Sequence, residues 1–458
     1  MTQNFDAIII GTGQAGPSVA QRLTAAGMTV AIVERKLFGG TCVNTGCTPT
    51  KTMVASAYAA HVARRAAEYG VSVGGSVSVD MRRVRERQAG VAGKSSTGVE
   101  TWLRTMKNCT VYQGHARFES PREISVGADR ITADKIFINV GGRASVPQMP
   151  GVDQVEYLTN SSMMQVDFLP RHLIVVGGSY VGLEFAQIYR RFGAAVTVLE
   201  AGERLIGRED PEVSIAIHDL LVSEGVEVHT RLKCVTTART ASGVQVKATL
   251  GDDMRAISGS HLLVAVGRKP NTEDLDLAAA GVEVDARGFI PVDDGLQTSV
   301  PGIWALGDVN GRGAFTHTSY NDYEILAANL LDGEHRKVSD RIPVYALFTD
   351  PPLGRVGMNE REVRASGRPA LKAVMPMTRV ARARERSETF GFMQVLADAE
   401  TRQILGAAFL GIEGDEAVQV LLATMAAGAP YTTLQHLTPI HPTVSELIPT
   451  LLNGLRPL

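Results

Sequence analysis

Cysteine is scarce in this chain: 458 residues hold four, Cys42, Cys47, Cys109 and Cys234. That count excludes a disulfide-stapled scaffold at this length. No charge sign dominates, because 46 Lys and Arg face 48 Asp and Glu for a net charge of −2, which argues against a broad nucleic-acid-binding face. An uninterrupted apolar run of ~20 residues, long enough to cross a bilayer, is also missing. No basic leader or cleavage site precedes the first apolar run, Ile8-Ile9-Ile10, so the expectation is a cytoplasmic protein with no membrane partner. Aromatic residues make up only 5%. Glycine is what the chain has in excess: 46 residues, about a tenth, against ~7% on average, with no G-X-Y period. At ~150 residues per domain, the length suggests about three domains.

The glycines concentrate where apolar runs end. Asp6 to Ile10 reads as a buried strand, Gly11-Thr12-Gly13-Gln14-Ala15-Gly16 follows, Pro17 to Ala26 has helical character, and Met28 to Val33 is a second strand ending in Glu34. Strand, G-x-G-x-x-G, helix, strand and acid form the dinucleotide-binding fingerprint, in which glycines let the backbone approach a pyrophosphate resting on a helix N-terminus. The acid accepts hydrogen bonds from an adenosine ribose. The arrangement recurs at Leu173–Val176, Gly177-Gly178-Ser179-Tyr180-Val181-Gly182 and Val196–Leu199, ending in Glu200. Gly11 to Glu34 and Gly177 to Glu200 cover equal intervals, and two copies in full β-α-β context are far more specific than one. Ser179 replaces the middle glycine and adds a side chain near the phosphate path.

Three further apolar runs end at glycine: Ile136–Val140 before Gly141-Gly142, Leu262–Val266 before Gly267, and Gly302–Leu306 before Gly307-Asp308. Such turns place ligand-facing backbone at the carboxyl edge of a parallel sheet, where Asp308 can hold a cofactor hydroxyl. Residues 52–68 and 79–107 read as helices, and from about 341 the pattern changes to a separate strand-and-helix unit without nucleotide fingerprints.

Two of the four cysteines fall close together in Gly39-Gly40-Thr41-Cys42-Val43-Asn44-Thr45-Gly46-Cys47-Thr48-Pro49-Thr50-Lys51. Pro49 suits the first turn of a helix, which puts Cys47 near a helix N-terminus; the partial positive charge there favours thiolate. Zinc ligation and an inert buried pair are the competing readings, and the isolated positions of the other cysteines tell against a four-ligand zinc site. A redox pair is the reading adopted, and no resident metal is expected. Cys109 and Cys234 are expected as buried small hydrophobes.

These residues resemble the pyridine nucleotide–disulfide oxidoreductases, the flavoenzyme family of dihydrolipoamide dehydrogenase, glutathione reductase and mercuric reductase. The likeness runs through both fingerprints, the G-G-T-C-x4-C-x-P-x-K segment, Gly267-Arg268 with Pro270-Asn271, Gly307-Asp308, Phe348-Thr349-x-Pro351-Pro352, and His441-Pro442-Thr443-Val444-Ser445-Glu446. It implies an α/β fold with two Rossmann-like dinucleotide-binding domains and a C-terminal α+β dimerisation domain. The FAD-binding domain would cover 1–148 and 271–340, the NAD(P)-binding domain 149–270, and the interface domain 341–458. FAD would be lined by Gly11, Gly13, Gly16, Glu34, Thr41, Lys51, Ala116, Val140, Gly141, Gly142, Asp308, Ala314, Phe315, Thr316 and His317. The nicotinamide nucleotide would meet Gly177, Gly178, Ser179, Tyr180, Val181, Gly182, Glu184, Glu200 and Gly267. Glu200 predicts NADH over NADPH, since a carboxylate repels a 2′-phosphate, while Arg204 nearby softens that repulsion.

The resemblance also implies a relay: electrons pass from NAD(P)H through the flavin to a Cys42–Cys47 disulfide. Cys47 would face the flavin and Cys42 the acceptor. Lys51 and Glu184 would form the ion pair beside the flavin, and Tyr180 would be the ring that moves aside for nicotinamide. His441, oriented by Glu446, would serve as acid–base from the partner subunit of a homodimer. Within the family the likeness is greatest to bacterial reactive-chlorine-resistance flavoenzymes that reduce copper(II), on Thr48-Pro49-Thr50-Lys51-Thr52, Phe137-Ile138-Asn139, Phe315-Thr316 and Pro351-Pro352-Leu353. The C-terminal Asn453–Leu458 stretch lacks the paired cysteine of mercuric reductases, and Gln21-Arg22 stands where glutathione reductases place adjacent arginines. The expected acceptor is a small disulfide or a soft metal ion such as Cu(II) or Hg(II), with Cys42 and Cys47 as transient ligands of a metal substrate. Dihydrolipoamide dehydrogenase is the enzyme alternative, and a redox-sensing flavoprotein or scaffold the alternative of another class. Arg379, Arg382, Arg384 and Arg386 read as a solvated strand edge, and Met375 and Met377 as core.

Overall fold

The computed structural model describes residues 2–251 and 253–458. Its first sheet has five parallel strands in the order Ile303–Ala305, Lys135–Ile138, Ala7–Ile10, Val30–Glu34, Cys109–Gln113. Ala7–Ile10 is buried along its whole length, as a central parallel strand covered on both faces must be. Ile8, Ile136 and Ile303 share one core with Ile124 and Ile131, while Ile9, Phe137 and Leu306 pack on the opposite face with Val19 and Leu23 of the helix Gly16–Ala25. Every one of these strands delivers its carboxyl end to the same edge, so Gly11, Asn139, Glu34 and Gly307 gather there.

The second sheet repeats the plan with Glu227–His229, Ala195–Leu199, His172–Val176 and His261–Val264, all parallel. The helix Tyr180–Phe192 packs on it, with Leu183, Phe185, Ala186 and Ile188 in its core. A three-stranded antiparallel sheet, Leu232–Thr240, Gly243–Leu250 and Asp253–Gly259, is part of the same stretch of chain. A short antiparallel ribbon, Gly142–Ala144 with Arg268–Pro270, pairs the chain just before and just after it. The third unit is a six-stranded antiparallel sheet in the order Val344–Leu347, Leu353–Gly357, Ile404–Leu410, Phe392–Asp398, Ala370–Pro376, Arg456–Pro457, with Met375 and Met377 buried in its core. The architecture is α/β with two Rossmann-like sheets and a C-terminal α+β unit.

Four expectations need correction. The helix read as 52–68 starts earlier and stops earlier, at Cys47–Arg64, because Pro49 is accommodated in its first turn and a separate turn follows at Ala66–Tyr69. The helix read as 79–107 is Met81–Thr105, entered through Asp80, whose side chain accepts the Arg83 N–H. The arginine group is not a strand edge: Arg379 ends the short turn Met377–Arg379, Arg382 and Arg384 lie on the helix Ala381–Glu385, and Arg386 follows that helix directly. Cys109 is only half-buried and Cys234 is exposed; Cys234 sits at a register shift between Lys233 and Thr236, with φ of 51°, and the bulge turns it off the packed face.

Candidate active site

The two fingerprint loops have the same construction. A Cβ on Gly11 would come 2.4 Å from the Asn139 carbonyl oxygen, and one on Gly16 would come 2.3 Å from that of Gly11. In the second loop, a Cβ on Gly177 would lie 2.4 Å from the Ala265 carbonyl oxygen and one on Gly182 would lie 2.1 Å from that of Gly177. Gly13 and Gly178 are also closed from behind, by the Asn139 side chain and by Leu205 with Glu200. Each of these glycines is thus closed from behind, and the N-cap residue of neither following helix supplies a side-chain cap. These are cradles that fit a pyrophosphate on helix N–H groups. Ser179 is exposed and extended at the outer rim of its loop.

The two acids occupy matching places. Glu34 accepts the Thr12 hydroxyl at 2.6 Å, the Thr12 N–H at 3.1 Å and the Lys36 N–H at 2.8 Å. Glu200 accepts the Gly178 N–H at 2.6 Å and the Gly202 N–H at 2.5 Å. Each carboxylate is thereby fixed at its strand end beside the glycine loop, where a ribose would lie. Ala116 is buried at the start of a strand. Thr41 donates to the Gly142 carbonyl at 3.4 Å, which brings the cysteine segment against the Val140–Gly142 turn. Gly267 is exposed, with a carbonyl that accepts the Ser145 N–H at 2.9 Å.

At the carboxyl edge of the first sheet, Asp308 pairs with Arg268 at 3.3 Å; burial pushes its carboxyl up despite that cation. Phe315 stacks between His317 and Tyr345, at centroid distances of 5.3 and 5.6 Å. His317 bonds the Val344 carbonyl at 2.7 Å, and burial holds its imidazole below the usual range. Ala314 is exposed just before this group.

The cysteine pair meets the sheet edge here. Gly46 lets the short helix Gly40–Asn44 fold against the start of Cys47–Arg64, since a Cβ at Gly46 would lie 2.8 Å from the Thr41 carbonyl oxygen. Cys42 and Cys47 are free cysteines, Cys47 exposed and Cys42 half-buried. Cys47 Sγ lies 3.1 Å from the hydroxyl of Thr316, the first residue of the helix Thr316–Leu331. The Cys47 thiol is brought down to about 6, chiefly by the Cys42 thiol, then by Thr316 and Lys51, while desolvation opposes them. Cys42 is pushed up by the neighbouring Cys47 and by its own desolvation. The two thiols are thus pushed apart in acidity, with Cys47, at a helix start, the more acidic of the two.

One turn along the same helix, Lys51 Nζ binds both oxygens of the buried Glu184, at 2.9 and 2.8 Å, and stands 4.4 Å from the Phe348 ring centre. The Phe348 N–H donates to Glu184 at 3.1 Å. Farther along that face, Gln187 exchanges hydrogen bonds of 2.8 Å with the Asp350 backbone, and Arg191 is bound by Glu224 and Asp350. Positions 184, 187 and 191 share one helix face, so this face grips the 348–350 segment and carries Glu184 to Lys51. Tyr180, at the helix start, gives its hydroxyl to Glu209 at 2.9 Å. His441 is exposed and bonded through Nδ1 to Glu446 at 2.8 Å; among the described residues no hydrogen bond joins it to either cysteine.

A family model described as pyridine nucleotide-disulphide oxidoreductase matches residues 5–322, and one for the dimerisation domain of the same family matches 344–452. The chain is a pyridine nucleotide–disulphide oxidoreductase. It is 34% identical to the probable pyridine nucleotide-disulfide oxidoreductase RclA of Escherichia coli over 96% of this chain and 97% of that one. It is 32% identical to a Bacillus cereus mercuric reductase, over 88% of this chain and 64% of that enzyme. It is also 32% identical to a dihydrolipoyl dehydrogenase of Thermus scotoductus, over 97% and 96% of the two chains. A solved Cu(II) complex of the HOCl-induced flavoprotein disulfide reductase RclA superposes with a TM-score of 0.88 at 33% identity, covering 98% of this chain and 99% of that one. Membership makes the chain an oxidoreductase with FAD and a nicotinamide nucleotide as cofactors and a dimerisation domain. None of its helices, among the described residues, is long and apolar enough to cross a membrane.

Two buried polar residues support the site in ways that no local motif announces. Asn139 accepts the Gly16 N–H at 3.1 Å and donates to the Leu306 carbonyl at 2.9 Å, tying the first glycine loop to the strand that leads to Asp308. Asp322 accepts the Gly307 N–H at 2.8 Å and the Asn310 amide at 2.9 Å and meets Arg341. For the first, the sequence offered a polar residue within the apolar run Ile136–Val140 and the Phe137-Ile138-Asn139 likeness, neither of which reveals its partners. Asp322 has no such hint, because it lies mid-helix and its partners come from a preceding turn and a later loop.

Proposed function

We propose that this chain passes electrons from NADH through FAD and the Cys42–Cys47 pair to a small disulfide or a soft metal ion such as Cu(II) or Hg(II). The observation that carries the reading is the Cys47 sulfur: low in pKa, at a helix start, touched by Cys42, Thr316 and the field of Lys51. FAD, when bound, supplies the two-electron relay between a nicotinamide and a disulfide. The chain's own residues divide the remaining work. Cys47 carries the negative charge of the dithiol and Cys42 keeps the proton, so Cys42 must lose it before acting as the attacking sulfur or as a metal ligand. His441, held by Glu446 in one tautomer with Nε2 free, is the base that takes that proton, supplied by the second subunit of a homodimer. Lys51, paired with Glu184, holds its ammonium beside the flavin's place. Glu200 selects NADH, because its carboxylate already faces the ribose position between two backbone N–H groups.

The residue assignments and the domain limits 1–148, 149–270, 271–340 and 341–458 belong to this proposal, as does a cytoplasmic location, where reduced nicotinamide nucleotide is available. The known Cu(II) complex of the E. coli relative supports metal as acceptor. The His441–Glu446 contact favours a second reading, a disulfide acceptor such as dihydrolipoamide, whose exchange needs an acid–base. Anaerobic turnover with lipoamide, glutathione disulfide, Cu(II) and Hg(II) separates them: lipoamide turnover alone refutes the metal reading. Cys42→Ser should abolish every acceptor activity while flavin reduction by NADH persists, and unchanged turnover would refute the relay. A kcat/KM for NADPH equal to that for NADH would refute the nucleotide assignment.

A further inference from the structure

The buried carboxylate of Glu209 is not accounted for by cofactor binding or by the relay. Its side chain is fully buried, and a single oxygen, Oε1, accepts two phenol hydroxyls: Tyr180 at 2.9 Å and Tyr345 at 2.6 Å. The other oxygen faces the guanidinium of Arg355, itself buried, at 3.4 Å, and Arg355 is shared with Asp210 at 2.7 Å. Tyr345 and Arg355 come from the third unit, whereas Tyr180, Glu209 and Asp210 come from the second. Desolvation and the Glu209 charge push both phenols well up, so they remain donors.

The Tyr180 ring is also held edge-on by Phe315 at 6.4 Å and by Tyr345 at 5.7 Å. Phe315 adjoins Thr316, which touches Cys47, and Tyr180 lies one helical turn before Glu184, the partner of Lys51. The ring therefore stands between the second glycine loop and the redox sulfur. A planar nicotinamide entering that space must displace it, and the displacement breaks the bond to Glu209.

We propose that Glu209 is a positioning residue that latches Tyr180 shut over the nicotinamide place, with Tyr345 as the donor that keeps the carboxylate satisfied when Tyr180 leaves. The proposal rests on the reading of Tyr180 as the ring that yields to nicotinamide. Sharing one oxygen between two phenols makes the latch reversible. When Tyr180 swings away, Oε1 retains the Tyr345 hydroxyl and no buried charge is orphaned, so opening costs one hydrogen bond and not the full desolvation of a carboxylate. A binding-competent state that is rarely populated weakens apparent affinity by its population, so the latch strength appears directly in the nucleotide dissociation constant.

Deleting each hydroxyl then has opposite effects. Tyr180→Phe removes the latch, leaves the ring and its edge contacts, and should lower the apparent Kd for NADH about tenfold. Tyr345→Phe leaves Tyr180 as the only phenol on Oε1, so that opening leaves this buried oxygen without a donor while Oε2 keeps Arg355, and should raise that Kd about tenfold. The measurement is anaerobic stopped-flow reduction of the flavin in the holoenzyme over a range of NADH concentrations, which separates the Kd from the limiting rate of reduction. These variants avoid substituting Glu209 itself, whose loss would strip Arg355 of a counter-charge. Tyr180→Ala distinguishes the two layers of the argument. If it leaves the Kd unchanged, Tyr180 is not the gate, and both readings fall. If it tightens binding while the two Phe variants shift the Kd in the same direction or not at all, the gate stands and the latch is wrong.

Discussion

The hydroxyl of Thr316 is the part of the redox site most open to a clean perturbation. It lies 3.1 Å from Cys47 Sγ and is, after the Cys42 thiol, the next cause of that sulfur's acidity, with a value of about 6. Thr316→Val keeps the branched shape and removes the donor. A hydrogen bond to a charged group contributes ~1.5–3 kcal/mol; Cys47 opens onto the cleft, so the lower end applies. That is about one pH unit, given ~1.4 kcal/mol per unit. The thiolate share of Cys47 at pH 7 then falls from about nine-tenths to about one-half. The assay is the pH dependence of iodoacetamide alkylation of the reduced enzyme, followed at the Cys47 peptide by mass spectrometry. The midpoint should move from near 6 to near 7, and the rate at neutral pH should roughly halve. A midpoint that stays put, or falls, refutes the claim that Thr316 donates to this sulfur.

Gly16→Ala and Gly182→Ala would drive a Cβ to within 2.3 and 2.1 Å of a backbone carbonyl oxygen; the first should purify without flavin, and the second should retain flavin yet lose saturable reduction by NADH. Asn139→Leu removes both ties between the first loop and the Leu306 carbonyl, at a cost of about 2 kcal/mol, visible as a lower unfolding midpoint and flavin release at lower urea. Lys51→Met leaves the buried Glu184 with the Phe348 N–H as its remaining partner at that end, and should lower stability by about 2 kcal/mol and shift the flavin absorption band. For Cys47 the folded value lies below that of a free thiol, near 9. The unfolded chain therefore binds the extra proton between about 6 and 9, and this group's contribution to stability rises with pH across that window and is lost as pH falls through about 6; comparing melting temperatures of wild type and Cys47→Ser at pH 5.5 and 8 checks the sign.

The local motifs were legible because each is a short-range device. An apolar run, three glycines, a helix and an acid lie within one β-α-β segment, and the second copy matched the first in spacing. The cysteine segment was legible for the same reason, since Gly46, Pro49 and the helix start are neighbours. What escaped the sequence was long-range polar chemistry. Asn139 and Leu306, and Glu209 and Tyr345, meet only through the fold, and a buried polar residue on a loop leaves no periodic trace. Cys234 was misread because a β-bulge breaks the alternation that would have buried it, and the arginine run because charged residues suit a short helix as readily as an exposed strand edge.

The first sheet also dictates an order of manufacture. Its outer strand Ile303–Ala305 pairs with Lys135–Ile138, although the entire second sheet, made from strands between His172 and Val264, lies between them in sequence. A ribosome working from the N-terminus thus releases every strand of the second sheet while the first is still missing its outer strand, together with the Asp308 turn and Thr316. The inserted unit has all its strands in hand, whereas the sheet that starts the chain must wait for residues emitted about two-thirds of the way along. The flavin cradle is consequently begun early and finished late, and a chain ending near residue 270 would hold every strand of its second sheet yet have no complete seat for FAD.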